Sequence, residues 1–233
     1  MDSVLLGTIR QNNKIVRALS DRDGDQVLQL FNITAEKNMI LRIYEKPVQA
    51  YSMLKHISHP NLPEIYDVMM EGNRQFVFES FVDGITVADV IETGRYTYRG
   101  MKKVIAGVCG AVSFLHQKGV VHRDIKPENV MIDKTGQVKL IDLNASRKFD
   151  LLKSKDTQVL GTIGYASPEQ LGIGQCDTRT DIYAIGVLIN VMLTGEHPSR
   201  KLAKGKAGRI VLKCTQIDPN SRFQTVDKLL NAL

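Results

Sequence analysis

The chain has 233 residues, 43% of them hydrophobic and 24% charged. Those proportions belong to globular proteins and exclude a disordered or collagen-like chain. Thirty-one Lys and Arg against twenty-five Asp and Glu leave a net charge of +6, which suits anionic partners without choosing among nucleotides, acidic proteins and nucleic acid. Cys109, Cys176 and Cys214 are odd in number, far apart and in no metal-ligand spacing. A disulfide framework or zinc site is therefore not expected, and a reducing compartment is. The longest apolar stretch, 182–193, is interrupted by Asn190 and falls short of the roughly 20 residues a membrane span needs. No signal peptide is evident at the amino terminus. A cytoplasmic location is expected, with the intracellular part of a longer chain as the alternative.

In chain order, residues 14–19, 26–32, 38–44, 65–70 and 75–79 read as short strands separated by polar punctuation. A short helix is predicted over 48–57, closed by His59-Pro60-Asn61-Leu62-Pro63. Beyond Gly84 the period changes. Residues 87–92, 98–118, 181–194, 203–217 and 225–232 carry helical spacing, with Gly119, Gly195 and Pro219 as stops. Two strands, 130–133 and 138–141, flank a Lys134-Thr135-Gly136 turn. The expected architecture is α+β, with a β-rich lobe over 1–80 and a helical lobe over 81–233.

The densest chemical signal is His122-Arg123-Asp124-Ile125-Lys126-Pro127-Glu128-Asn129. It places a carboxylate, an ammonium and an amide oxygen within a few residues on a loop entering a strand. Asp142 follows at the end of the next strand. A base, a cation and two oxygen ligands for Mg²⁺ are what phosphoryl transfer requires, because its catalysis is mainly positioning and charge neutralisation.

These residues resemble the Hanks-type serine/threonine protein kinase family, whose fold is bilobal. Asp142-Leu143-Asn144 stands where that family has D-F-G. Gly161-Thr162 through Ser167-Pro168-Glu169 looks like the end of an activation segment. Asp181-Ile182-Tyr183-Ala184-Ile185-Gly186-Val187 resembles the buried helix under the catalytic loop, and Asp218-Pro219-Asn220-Ser221-Arg222-Phe223 the closing motif. The resemblance implies Asp124 as the acceptor of the substrate proton and Lys126 as the cation on the transferring phosphate. It implies Asn129 and Asp142 as Mg²⁺ ligands, and Ser154, Thr157 and Thr162 as activation-segment residues. Arg123 would face a phosphate on that segment, Asp181 would cap the loop backbone, and Glu169 would pair with Arg222.

The amino-terminal lobe departs from the family pattern. Ser20, Arg22 and Asp25 fall at the three positions of the glycine-rich loop, with Val27 in the usual valine place. Arg42 replaces the third-strand lysine, Ala50 (or Gln49, one residue off) replaces the helix glutamate, and Ile40 replaces a small alanine over adenine. The hinge falls in 79–84. Alignment on Val82-Asp83-Gly84 makes Glu79 the gatekeeper, and alignment on Glu79 makes it Phe78. The first is adopted, with Ser80, Phe81 and Val82 lining adenine and Met131 flooring it. The implied function is a protein kinase using ATP and Mg²⁺ on a protein hydroxyl, slow or conditional, with a pseudokinase scaffold as the alternative. A protein substrate or signalling partner and a nucleotide are the expected partners. Arg200, Lys201, Lys204, Lys206, Arg209 and Lys213 form a basic stretch read as a solvated face, an acidic partner being the sharper alternative. No aromatic interleaving supports nucleic acid, and none is expected there.

Overall fold

The computed structural model describes residues 4–22, 24–148, 164–172 and 176–233. The chain forms two compact units, one of residues 1–59 and 63–82, the other of residues 60–62 and 83–233. Its class is α+β, with the sheet-rich unit first.

The first unit opens with helix α1 (Val4–Asn12) and strands β1 (Asn13–Arg22), β2 (Asp25–Asn32) and β3 (Lys37–Tyr44). Helix α2 (Gln49–Leu54), β4 (Ile65–Glu71) and β5 (Arg74–Ser80) follow. The strands make one antiparallel sheet in the order β1-β2-β3-β5-β4. Strand alternation assigns its two faces. Leu30, Met39, Leu41, Ile43 and Phe76 form a buried cluster with Ile9 of α1, and Leu5, Leu6 and Phe78 pack on it. Ile40, Arg42 and Tyr44 of β3 therefore look the other way. There Tyr44 stacks on Tyr51 of α2, with ring centroids 5.6 Å apart and hydroxyls 3.0 Å apart.

Helix α1 was not anticipated; the only signal for it is the spacing of Leu5, Leu6 and Ile9. The helix expected over 48–57 is only Gln49–Leu54. It ends early because Lys55 leaves helical geometry at ψ 132° and His56 takes a left-handed φ of 61°.

The second unit runs β6 (Gly84–Thr86), α3 (Val87–Thr93), α4 (Tyr98–Gln117), β7 (Val120–Val121), β8 (Val130–Asp133), β9 (Val138–Leu140), β10 (Arg147–Lys148), α5 (Thr178–Thr194), α6 (Gly205–Cys214) and α7 (Val226–Ala232). Strands β6, β8 and β9 form one small sheet, and β7 pairs with β10. Helix α5 begins before the expected 181, capped by Asp177, whose side chain accepts from Arg179 N–H. It is largely buried, with Ile182, Ile185, Val187, Leu188, Ile189 and Met192 in the core and Asp181 and Asn190 as buried polar members, as suits a central helix. Among the described residues no helix is long and apolar enough to cross a membrane.

Packing of α5 on α6 is close at Gly186, where an added Cβ would lie 2.3 Å from Cys214 Cβ. Gly186→Ala is expected to cost about 1–3 kcal/mol through overpacking, lowering the melting temperature by roughly 2–12 °C. Gly7→Ala is the control. Its Cβ would meet nothing within 4 Å, so the gain in helix propensity, up to about 1 kcal/mol, is unopposed. Thermal melts of the two variants should move in opposite directions.

Candidate active site

Asp124, Lys126, Asn129 and Asp142 all belong to the second unit. The loop carrying the first three leaves β7 and enters β8 through a 3-10 turn at Pro127–Asn129. Asn129 is buried and spends its amide N–H donors on Asp124, one on the backbone oxygen (2.8 Å) and one on Oδ2 (2.9 Å). Lys126 Nζ reaches the same Oδ2 at 2.7 Å. Asp142 is brought alongside by the sheet. The Val130–Leu140 pairing of β8 and β9 is continued by Ile141 N–H donating to Asn129 O (2.9 Å). One hydrogen-bonded frame thus joins the side chains of Asp124, Lys126 and Asn129, with Asp142 one residue beyond the backbone bond from Ile141. Among the described residues there is no group of three or more His, Cys, Asp or Glu built for a metal. An amide oxygen beside a carboxylate instead suits Mg²⁺, a hard ion that binds proteins through one or two oxygens and completes its shell with phosphate and water.

The backbone of this loop is strained and clamped. Arg123 and Asp142 have φ of 71° and 67°, a region non-glycine residues rarely enter. Fully buried Asp181 of α5 holds the strained turn, accepting from His122 N–H (3.0 Å), Arg123 N–H (2.8 Å) and His116 Nε2 (2.8 Å). Burial alone would raise the Asp181 carboxyl, but His116 and these donors outweigh it and hold it below the usual carboxylate value. Burial pushes the His122 imidazole down, against the pull of Asp181, Asp124 and Asp142. At the D-F-G position the positive φ falls on Asp142 and not on Asn144, whose N–H donates to Asp142 Oδ1 (3.2 Å).

Two ties secure the loop from outside. Gln170 Nε2 donates to Arg123 O (2.8 Å), while its Oε1 accepts from Ser167 N–H (3.1 Å). The Ser167-Pro168-Glu169-Gln170 spacing of a capping box was the available signal for Gln170, which sequence reasoning passed over. Glu169 meets Arg222 in a bidentate pair at 2.6 and 2.8 Å. The Arg123 guanidinium lies 3.6 Å from Cys176 Sγ. Ser154, Thr157 and Thr162 lie outside the described residues. Met131 is half-buried on β8, opposite Thr86 and Lys139.

Four of the nucleotide candidates of the first unit, Val27, Ile40, Arg42 and Glu79, share one sheet face, while Ser80 pairs with Met39 on the other. Ile40 and Glu79 are paired across β3 and β5, as are Arg42 and Val77. Arg42 Nε reaches Glu79 Oε1 at 2.7 Å, both side chains being under a tenth exposed. Glu79 thus shares the face of Arg42, whereas Phe78 packs on the opposite cluster. The expectation that the third-strand cation loses its ion-pair partner with Ala50 missed this acidic neighbour within the sheet. Val27 stands opposite Arg42 on β2, Val82 is buried, and Ser80 and Phe81 are half-buried. The positions aligned with the glycine-rich loop lie on paired strands, Ser20 opposite Val27. Register runs to Arg22↔Asp25, Gly24 takes a left-handed φ of 88°, and Asp25 Oδ1 is engaged by Glu45 N–H at 2.9 Å.

An α+β chain with a sheet-rich first unit, a strained turn clamped by a buried helix aspartate, and a carboxylate, an ammonium and an amide joined beside a second aspartate has the make-up of a protein kinase domain. The protein kinase domain family model matches residues 25–231, and the chain belongs to that family, in its Hanks-type branch. It is 31% identical over 204 residues to the serine/threonine-protein kinase PknB of Mycolicibacterium smegmatis, covering 74% of this chain and 33% of that protein. To the serine/threonine-protein kinase PrkC of Bacillus subtilis it is 29% identical over 220 residues, 84% of this chain and 34% of the relative. The chain thus spans about a third of the curated relatives it matches. The family generally uses ATP and Mg²⁺.

Proposed function

We propose that this chain is a serine/threonine protein kinase domain that moves the γ-phosphate of Mg-ATP to a protein hydroxyl, at a low rate. The observation that carries the reading is the hydrogen-bonded frame around Asp124, in which Lys126, Asn129 and, through Ile141, Asp142 are held together. Asp124 would accept the proton of the substrate hydroxyl as it attacks, and Lys126 would balance charge on the transferring group. Asn129 Oδ1 and Asp142 would hold Mg²⁺. Bound Mg-ATP supplies the phosphoryl group and the metal's charge.

A second reading, a nucleotide-poor scaffold, is favoured by the Arg42–Glu79 pair. A carboxylate 2.7 Å from the strand cation cancels much of the charge a phosphate would use, and a guanidinium is not a substitute for an ammonium there.

One titration separates the two. Mg-ATP at 100 times its Kd stabilises a binding protein by about 2.7 kcal/mol, roughly 5–11 °C for a chain of this size. Mass spectrometry then shows whether phosphate is incorporated on a protein hydroxyl; binding without incorporation supports the scaffold. Glu79→Gln removes the competing charge while keeping an acceptor for Arg42, and is expected to tighten Mg-ATP about three- to tenfold. An unchanged Kd counts against Arg42 as a phosphate ligand.

A further inference from the structure

The stretch 198–217 holds six cations and no Asp, Glu or aromatic residue. Its charge equals the excess of the entire chain. The segment is built into the unit. Asn190, fully buried on α5, donates to Glu196 O (2.8 Å) and Lys201 O (2.7 Å) and accepts from Ala203 N–H (2.8 Å). One amide therefore fixes the course of the loop between α5 and α6. The loop lies directly on α6, for a Cβ at Gly208 would meet Ala203 O at 2.0 Å and Leu202 Cγ at 3.6 Å.

Loop and helix form one surface. Helix α6 buries Ala207, Ile210, Val211 and Cys214, and exposes Lys206, Arg209, Leu212 and Lys213 on the opposite stripe. Arg200, Lys201 and Lys204 are exposed beside them. Some of these cations also touch protein: Lys201 pairs with Glu196 at 3.4 Å, Lys206 Nζ donates to Leu233 O at 3.2 Å, and Lys213 lies 4.8 Å from the centre of the Phe223 ring. A merely solvated basic face does not explain its apolar members. Leu212 is 49% exposed on the cationic stripe and Ile217 is 76% exposed just beyond it.

We propose that this surface docks an acidic, leucine-bearing segment of a protein partner, its carboxylates meeting Arg200, Lys204 and Arg209 and its apolar side chains meeting Leu212. Charge complementarity selects the acid, and the exposed apolar residues select a peptide over a phosphate backbone. A single-stranded nucleic acid would call for stacking aromatics, which the stretch lacks. The proposal does not depend on phosphate transfer, since a scaffold would use the same surface.

The test is fluorescence anisotropy of the full chain with a fluorescein-labelled peptide of alternating Glu and Leu, beside a labelled single-stranded oligonucleotide of similar charge. Lys204→Glu/Arg209→Glu is expected to weaken the peptide about tenfold or more. Acidic side chains there sit favourably at the first turns of α6, so the fold is retained. Lys102→Glu/Lys103→Glu makes the same charge change on exposed residues of α4 and should alter the Kd by less than about twofold. Leu212→Ser, which leaves charge untouched and removes an exposed side chain, should cost about threefold. Equal losses from both double variants, no effect of Leu212→Ser, or tighter binding of the oligonucleotide than of the peptide would each overturn the proposal. Thermal melts of every variant accompany the titrations, and Arg209→Ala with an expected loss of about threefold stands in if the double variant does not fold.

Discussion

Asp124→Asn is expected to cut phosphate transfer by about 10²–10⁴-fold while moving the melting temperature by only about 2–4 °C. The two effects separate because Asp124 has different parts in the fold and in the chemistry. Its backbone oxygen still receives Asn129 Nδ2 at 2.8 Å after the substitution, and the amide keeps one acceptor for Lys126. The turn itself is held from elsewhere, by Asp181 on the amides of His122 and Arg123 and by Gln170 on the carbonyl of Arg123. What disappears is the carboxylate proposed to take a proton from the substrate hydroxyl. Time courses of phosphate incorporation by mass spectrometry, with melts of both proteins, read the two quantities independently. Transfer retained within about threefold would remove Asp124 from the base role. A large fall in melting temperature would make it a structural residue instead. Equal inactivity of the parent chain and the variant would leave the scaffold reading in place.

The parts of this frame differ in how far the sequence reveals them. His122 to Asn129 is contiguous, and a turn followed by a strand keeps its side chains near one another, so residue types and order carry the chemistry. Asp142 is legible because two short strands with a tight turn bring it back beside Asn129. Arg42 and Glu79 lie 37 residues apart, and their meeting depends on the register of β3 against β5, which no local pattern encodes. Alternation could have told Glu79 from Phe78 only once Phe76 and Leu41 were known to face α1. That helix was itself hidden, because Gly7 interrupts its apolar spacing and its packing on the sheet, not its propensity, holds it. Asn190 illustrates the same limit. In the sequence it interrupts an apolar run, and only the fold turns that interruption into the bracket of a loop.

Arg222→Met is expected to lower stability by about 3–5 kcal/mol, a fall of roughly 6–20 °C in melting temperature. Few side chains in the molecule are so completely used. Nε donates to Gln216 O (2.8 Å), one terminal nitrogen to Glu169 Oε1 and Arg179 O, and the other to Glu169 Oε2 and Ile217 O. All five guanidinium donors are thereby engaged, and the side chain is completely buried. Methionine fills similar space but strands a buried carboxylate and three carbonyls. Arg222→Lys should recover little, because an ammonium cannot make the planar fork. Glu169→Met/Arg222→Met should regain part of the loss, since it removes the orphaned charge and leaves only the carbonyls unmet. Acid gives the independent reading. Burial pushes the Glu169 carboxyl up, yet the Arg222 fork, with a backbone N–H and Ser167 beside it, holds the carboxyl below its ordinary value. A carboxyl depressed in the folded state stabilises fully above its unfolded pKa of about 4.3 and ceases to do so as pH falls through the folded value. The advantage of the parent chain over the double methionine variant should therefore hold at neutral pH and shrink steadily once the pH drops below about 5. A gap between the two melts that stays constant down to strong acid would mean that Arg222 acts through its carbonyl contacts and that the carboxylate contributes nothing.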